Sequence, residues 1–595
     1  MPGWKYAFGL SRDAVTAATP PGTARIVEQS STRRNGKYAE HITNYPLPSA
    51  DPADPLNWPL WRKDLCLASL CLYAFTANFT STCVGPALPI WDLTFPADPK
   101  PFKQLMLLVS TNILMIGLSN TVWVPLANVY GRRPVLLVSA LCLFVASICG
   151  ISPGSFASLV GIRMFQGIGS SATEAVAIAA VGDMYFISRR SRRMVFYAAA
   201  MATGAIAGNL CGGYIGFRLG WLALFEVSTA LSAATLLCLI FFAPETIYDR
   251  DPPCLPVQRN LPRASRYFPR TPAPHLTLAT LPSMRMTLPS RFLDSVKIEP
   301  PIPAMTWYDD NSSGDLSSNM STSPSQFMAS RHRSKATRSS HATARTRYRP
   351  YTFSRSLRLG MNRGNLLYQF SRPWSTLRLP TIWIAAFQYA GLVGSLGVVS
   401  LMGPSVLLAP PYFWGIDASL LSVGPLVGVV LGGLYSYFLP DFRVKKKAMK
   451  NVHGYVEPEY RIPVILPSLA LATAGLLAFG FCADYPDRYQ WVGIEVACGM
   501  VSFGLVQVAT VWFSYFIDAY SQLASDGLAM VCLSRGLFPF TFTFFSSDWV
   551  KEDGFLVPFG CFTVILGVIS LLIVPFIWTG KRMRIATARY IVHNQ

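Results

Sequence analysis

Twelve stretches of the chain run for about 18 residues or more with few or no charged side chains, and no other feature constrains the fold as tightly. A bilayer core takes about 20 mostly apolar residues per helix. Eight of the stretches contain no Asp, Glu, Lys or Arg: Leu65–Trp91, Gln104–Tyr130, Pro134–Ile151, Met194–Phe217, Leu379–Ile416, Ala418–Pro440, Ile462–Ala483 and Phe555–Gly580. Four hold one or two: Ser155–Val181 (Arg163, Glu174), Leu219–Ala243 (Glu226), Gln490–Ile517 (Glu495) and Leu528–Ser546 (Arg535). They predict an all-α membrane protein of twelve transmembrane helices, six on either side of a long polar stretch. Charged residues make up only 14% of the 595, against roughly a quarter in soluble domains, so a single water-soluble enzyme of this length is not expected.

The net charge of +20 would suggest a nucleic-acid partner in a soluble protein. Here its placement assigns it to topology. Counting spans from a cytoplasmic N-terminus, the inner connections hold Arg132 and Arg133, then Arg189, Arg190, Arg192 and Arg193, then Arg443, Lys445, Lys446, Lys447, Lys450 and Arg461. The outer connections offer Lys100, Lys103, Arg218, Arg488 and Lys551. With Arg62 and Lys63 before the first span and Lys581, Arg582 and Arg584 at the end of the last, the bias toward inner loops predicts that both termini are cytoplasmic. No nucleic-acid partner is expected.

The boundaries that follow are a largely disordered cytoplasmic tail (1–62), a six-helix bundle (63–248), a disordered basic Ser/Arg/Pro-rich cytoplasmic linker (249–377), a second six-helix bundle (378–582) and a short tail (583–595). The first 50 residues lack an apolar core, so the first span is expected to act as the signal anchor. The linker, for example Ser330–Arg349, has too little apolar surface to pack a core. Its basic face suits anionic lipid, and the serines near Arg331 and Arg338 suit a kinase.

The 12 cysteines lie mostly within spans at no metal or redox spacing, and the 6 histidines all fall outside the spans. No metal site and no cofactor is expected, and with no Walker A loop ATP is not the direct energy source.

Between spans two and three the chain reads Trp123 to Pro134 (WVPLANVYGRRP), where Gly131, Arg132 and Arg133 can make a tight, positively charged turn. Span four carries Arg163-Met-Phe-Gln166-Gly167-Ile-Gly169, and span five carries Gly204, Gly208, Gly212 and Gly213 at spacings that let helix backbones approach closely. These three segments resemble motifs A, B and C of the major facilitator superfamily, the last two those of its twelve-spanner drug:proton antiporter branch. Asn128 stands where motif A has an acid, Val124 where it has glycine, and Asn209 where motif C has proline. Asp54-Pro-Leu-Asn57-Trp58, Val181-Gly-Asp183, Pro244-Glu245-Thr246, Glu457-Pro-Glu459-Tyr-Arg461 and Tyr515-Phe-Ile-Asp518-Ala-Tyr520, all at span ends, are similar to the fungal branch. The resemblance covers nearly all of residues 51–590.

It implies two pseudo-symmetric bundles that rock about a central pathway, and a proton-coupled exporter of small amphipathic organic compounds. The alternatives are a proton-symport nutrient importer and a transport-inactive sensor. The plasma membrane is the expected location, with the vacuolar membrane as alternative. The partners are a small-molecule substrate, protons and the bilayer, and the chain is expected to be monomeric. Arg163, Gln166, Gly167, Ser170 and Glu174 fall on one helical face, as do Gln507, Thr510, Ser514 and Asp518. The substrate cavity is expected at Asn78, Gln166, Ser170, Gln388, Tyr389, Gln507 and Ser514, and gating at Gly131, Arg132, Arg133, Gly204, Gly208, Gly212 and Gly213.

Proton coupling needs an ionisable group inside the membrane. Glu226 and Glu495 lie near the outer ends of their helices, and Asp183 and Asp518 at inner ends. Glu174 sits about 16 Å along the helix from Arg163 at 1.5 Å per residue, near mid-membrane. Glu174, with Arg163, is therefore the expected coupling site.

Overall fold

The computed structural model describes residues 2–91 and 99–593, apart from 26, 35–36, 43–44, 50, 249–351, 353–363 and 451–454. Most of the predicted linker, with Arg331 and Arg338, therefore lies outside the described residues.

The first six spans are α1 (Leu60–Thr82), α2 (Leu107–Tyr130), α3 (Arg132–Cys149), α4 (Phe156–Ser170, resuming as Val176–Met184), α5 (Ile187–Leu219) and α6 (Ala223–Phe242). The second six are α7 (Pro380–Leu408), α8 (Val423–Lys450), α9 (Ile465–Asp484), α10 (Gln490–Tyr520), α11 (Ala524–Asp553) and α12 (Leu556–Leu571, continuing as Ile573–His593). Among the described residues, eleven helices are long and apolar enough to cross a bilayer. The fourth span is not one of them, because its helix breaks between Ser170 and Val176.

Helix packing repeats between the halves. In the first half α1 packs on α5 and α6, and α4 on α2 and α3; in the second, α7 packs on α11 and α12, and α10 on α8 and α9. The two halves meet along α2 with α11 and along α5 with α8, pairs that exchange when the halves are swapped. Small residues set these distances: a methyl on Gly117 of α2 would stand 2.6 Å from the Cα of Gly536 of α11. The outer faces carry exposed apolar side chains such as Leu141, Val145, Val430, Leu434, Val564 and Val568. In a bilayer they face lipid, where only a backbone satisfied within the chain is tolerated.

Local chemistry sets the ends. Gly131 takes φ +104°, a conformation L side chains resist, and lets α2 turn directly into α3. Both Glu245 oxygens then accept backbone N–H groups at the start of α3, from Arg132 and Arg133, each at 3.1 Å. A carboxylate there satisfies orphan donors and opposes the helix dipole.

Two segments differ from the expectation of disorder. Within the tail, helices form at Pro2–Gly9 and Arg12–Ala17, and Ala24–Arg25 pairs antiparallel with Tyr455–Val456 ahead of α9. Gly22 packs on the Ala519 backbone and the Pro21 carbonyl accepts from Arg584, so contacts with the second bundle supply what local sequence lacks. Within the linker, Leu366–Thr376 forms a helix whose Asn365 side chain caps the Leu367 N–H at 3.1 Å. Arg372 anchors it by an ion pair with Asp526 of α11 at 3.3 Å.

Candidate functional site

The break in α4 creates the most distinctive polar feature of the interior. A 3-10 turn, Ser171–Thr173, is followed by Glu174 and by Ala175 at φ −127°, ψ −48°. Freed carbonyls inside a membrane protein need new donors, and neighbouring helices provide them. The Tyr197 hydroxyl of α5 donates to the Thr173 carbonyl at 2.5 Å, and the Cys532 thiol of α11 to that of Glu174 at 3.5 Å.

Glu174 is 1% exposed and its Oε1 is ion-paired with Nη1 of Arg535 in α11. Its Oε2 is buried and, among the described residues, meets no hydrogen-bond donor. Arg535 also reaches the Asn78 side-chain oxygen at 3.3 Å and lies 5.6 Å from the centre of the Tyr389 ring.

Arg535 borders a cavity of about 140 Å³ between the two bundles. Apolar side chains including Val109, Met201 and Leu396 make most of its wall, with Asn78, Asn209, Tyr389 and several Ser and Thr residues as polar points. Among the described residues, Arg535 is the one charged side chain lining it, and Glu174 stands behind.

Other candidates sit elsewhere. Arg163 donates to the carbonyls of Leu108 (2.8 Å), Thr80 (2.7 Å) and Ser81 (2.6 Å) and to Gln166 (2.8 Å). It ties α4 to α1 and α2, and the partner of Glu174 is Arg535, because the helix break interrupts the polar stripe assumed for span four. Gln166 also donates to Ser147 at 3.1 Å, and Ser170 bonds back to the Gln166 carbonyl at 2.8 Å. Gln388 accepts from Trp512 at 3.0 Å. Gln507 donates to the Gly432 carbonyl and accepts from Ser436, both at 2.6 Å. Ser514 is buried. Only Asn78 and Tyr389 of the seven cavity candidates line this cavity.

At the end of the bundles where the chain termini lie, the halves are joined by charge. Asp518 of α10 takes Arg190 of α5 at 2.5 Å on one oxygen and Arg461, just before α9, on the other. Arg192 reaches Asp441 of α8 at 3.1 Å. Arg132 pairs with Asp183 at the end of α4, and Arg133 donates to the Ile240 carbonyl at 2.9 Å. Asn128 donates to Asp526 of α11 at 3.0 Å. Gly204, Gly208 and Gly212 press α5 onto α1 within the first bundle, whereas Gly213 faces Ser419 of the second.

Residues 70–537 match the Major Facilitator Superfamily profile. The chain belongs to the major facilitator superfamily. It is a multi-pass membrane transporter and not an enzyme, and transporters of this superfamily carry small molecules. Protein HOL1 of Saccharomyces cerevisiae is 24% identical over 96% of this chain and 97% of its own length. The multidrug transporter TPO1_1 of Candida glabrata is 21% identical over 90% of this chain and 78% of its own. The solved structure of the proton:xylose symporter XylE aligns at a TM-score of 0.52 and 12% identity, over 88% of this chain and 96% of that one, which shows the shared fold.

Sequence reasoning missed Arg535, Asp526 and Arg372. Arg535 was visible as one lone charge in a long apolar stretch, the same signal that singled out Arg163. Asp526 and Arg372 gave none, since their partners lie far away in sequence.

Proposed function

We propose that the protein is a proton-coupled secondary transporter of small amphipathic organic compounds, working by alternating access, with Glu174 as the proton-binding group. One observation carries the reading: a nearly inaccessible carboxylate at a break in α4 is paired across the bundle boundary with the cavity's charged residue, Arg535. When the bundles rock, that pair changes surroundings, and a group whose surroundings alternate can take up a proton on one side and release it on the other. The largely aliphatic wall suits an amphipathic cargo.

The basic end that carries the termini is the cytoplasmic end in this reading. Asp518 with its two arginines closes it, so the conformation is closed toward the cytoplasm. Export is supported by a relative named as an efflux pump, FUBT of Fusarium oxysporum, and exchange for protons across the plasma membrane belongs to the same reading. Co-transport with protons is a second reading, favoured by the sign of the charge that faces the cavity.

Comparing metabolites in cells and medium with the gene present and deleted identifies the compound and its direction. In liposomes under an imposed pH gradient, Glu174→Gln is expected to abolish proton-driven accumulation of that compound while exchange at equal pH persists. Undiminished accumulation in the variant removes Glu174 from coupling.

A further inference from the structure

The cavity presents positive charge to its contents, and the balancing negative charge is out of their reach. Arg535 lines the wall; Glu174, 1% exposed, lies behind it. The pairing is also incomplete. One oxygen of Glu174 holds the guanidinium while Oε2 has no donor among the described residues, although an ionised carboxylate can accept several.

We propose that the cavity binds the carboxylate of a small amphipathic organic acid on Arg535, and that the acid binds together with a proton on Glu174. This rests on the reading of Glu174 as the proton site.

The argument is one of neutrality in a poorly polarisable interior, where an uncompensated charge is expensive. With the cavity empty, Glu174 and Arg535 sum to zero. Adding a carboxylate alone leaves one net negative charge, and adding a proton alone leaves one net positive charge. Adding both restores zero: protonated Glu174 releases the guanidinium, which turns its planar fork to the incoming carboxylate. Proton and anion therefore favour each other's binding and move in the same direction, which selects co-transport over exchange. A cationic cargo has the opposite fate, since it meets Arg535 before any acid.

The ionisable groups around Glu174 leave this balance to the pair. Helix α11 contributes Arg535 and Cys532, the latter engaged with the Glu174 carbonyl. From α5 comes Tyr197, engaged with the Thr173 carbonyl, and from α1 comes Tyr73, whose hydroxyl is held by Ser139 and the Gly169 carbonyl. Tyr389 of α7 lies against Arg535. Helix α2 has no charged residue, and the arginines of α3 stand at its start, beside Asp183 and Glu245. Arg163 of α4 is occupied by carbonyls and Gln166.

An engineered apolar cavity of about 150 Å³ is known to admit benzene, so benzoate is a probe of suitable size for a cavity of about 140 Å³. Equilibrium binding of radiolabelled benzoate to the purified full-length protein would be measured with neutral benzamide and cationic benzylammonium as competitors. Proton uptake on binding would be followed in weak buffer. Benzoate is expected to bind at least tenfold more tightly than either competitor and to draw protons from solution. Glu174→Gln should raise benzoate affinity at pH 7.5 at least tenfold and end proton uptake, because a neutral amide no longer competes for Arg535. The double variant Glu174→Gln with Arg535→Gln keeps the interior neutral and is expected to fold yet lose the preference for benzoate.

Absent benzoate binding, preference for benzylammonium, or a Glu174→Gln variant that binds benzoate no better than the parent overturns the proposal. Benzylammonium preference with proton exchange retained would sink the anion site alone. Benzoate binding that needs Arg535 but moves no protons would sink the proton-site reading alone.

Discussion

Arg190 of α5 donates a 2.5 Å hydrogen bond to Asp518 of α10, so one buried carboxylate ties the first bundle to the second at the end that carries the termini. Arg461 takes the other oxygen. At the opposite end the ties between bundles are more exposed: Lys103 with Asp548 at 2.6 Å, about half accessible on both sides, and Tyr214 with Asp417 at 2.9 Å. Exposed pairs contribute little and a buried charge stripped of its partner costs a great deal, so closure is firm at one end and loose at the other.

Asp518→Asn should therefore release the firm end. It leaves two buried arginines facing a neutral amide, a cost on the order of 3–5 kcal/mol. Hydrogen exchange is expected to speed up in Val176–Met184, where Gly182 packs on Ile517 across the boundary. Unchanged exchange there would show that the closed state does not depend on Asp518.

The turn between α2 and α3 makes a separate prediction. Replacing both Arg132 and Arg133 with Lys keeps the charges but removes the planar donors that meet Asp183 and the Ile240 carbonyl. Insertion should be normal and transport should fall; full transport would leave the arginines with a topological role only. Glu245→Ala removes the acceptor for two N–H groups at the start of α3 and should lower thermal stability by about 1 kcal/mol.

Close packing in α5 is tested with two glycines. A Cβ on Gly208 would stand 2.6 Å from the Phe79 carbonyl oxygen, whereas one on Gly560 of α12 meets nothing within 4 Å. Gly208→Val should destabilise by roughly 1–3 kcal/mol through overpacking. Gly560→Ala should be neutral or stabilising, because alanine favours helix. Equal melting temperatures would contradict the packing.

How far the fold could be read from residues alone follows from these cases. Hydropathy and the placement of Lys and Arg depend on sums over twenty residues, and they located the spans. The break in α4 was hidden, because Ser171, Thr173 and Ala175 are compatible with helix; what breaks it is the set of donors that Tyr197 and Cys532 bring from other helices. Pairing was hidden for the same reason. Asn128, read as a departure at an acid's position, meets an acid after all in Asp526, which arrives from α11. The helix at Leu366–Thr376 was masked by the polar composition around it, although its own side chains alternate in helical fashion.

Orientation has a direct chemical test. Asn311 and Asn319 match the glycosylation sequon, in a segment outside the described residues. With a cytoplasmic linker both should remain unmodified. A glycosidase-sensitive mass shift mapped to either asparagine would invert the inside-outside assignment and with it the side on which Asp518 closes the pathway.

Arg163 is held as a structural charge. Although fully buried, it meets no carboxylate among the described residues; its positive charge is spread over three carbonyls and Gln166. Those carbonyls belong to α1 and α2, and Asn112 of α2 returns a hydrogen bond to the Arg163 carbonyl at 2.8 Å while accepting from Ser81 at 2.6 Å. The cluster therefore clamps three helices together. Lysine supplies a single ammonium that cannot span the same fork, so Arg163→Lys should leave buried carbonyls unpaired at about 1–3 kcal/mol each. The expected result is a lower melting temperature and weaker expression, with proton linkage through Glu174 preserved in the protein that does fold. A variant as stable as the parent that has lost proton linkage would return Arg163 to the coupling site and remove the division of labour between it and Arg535.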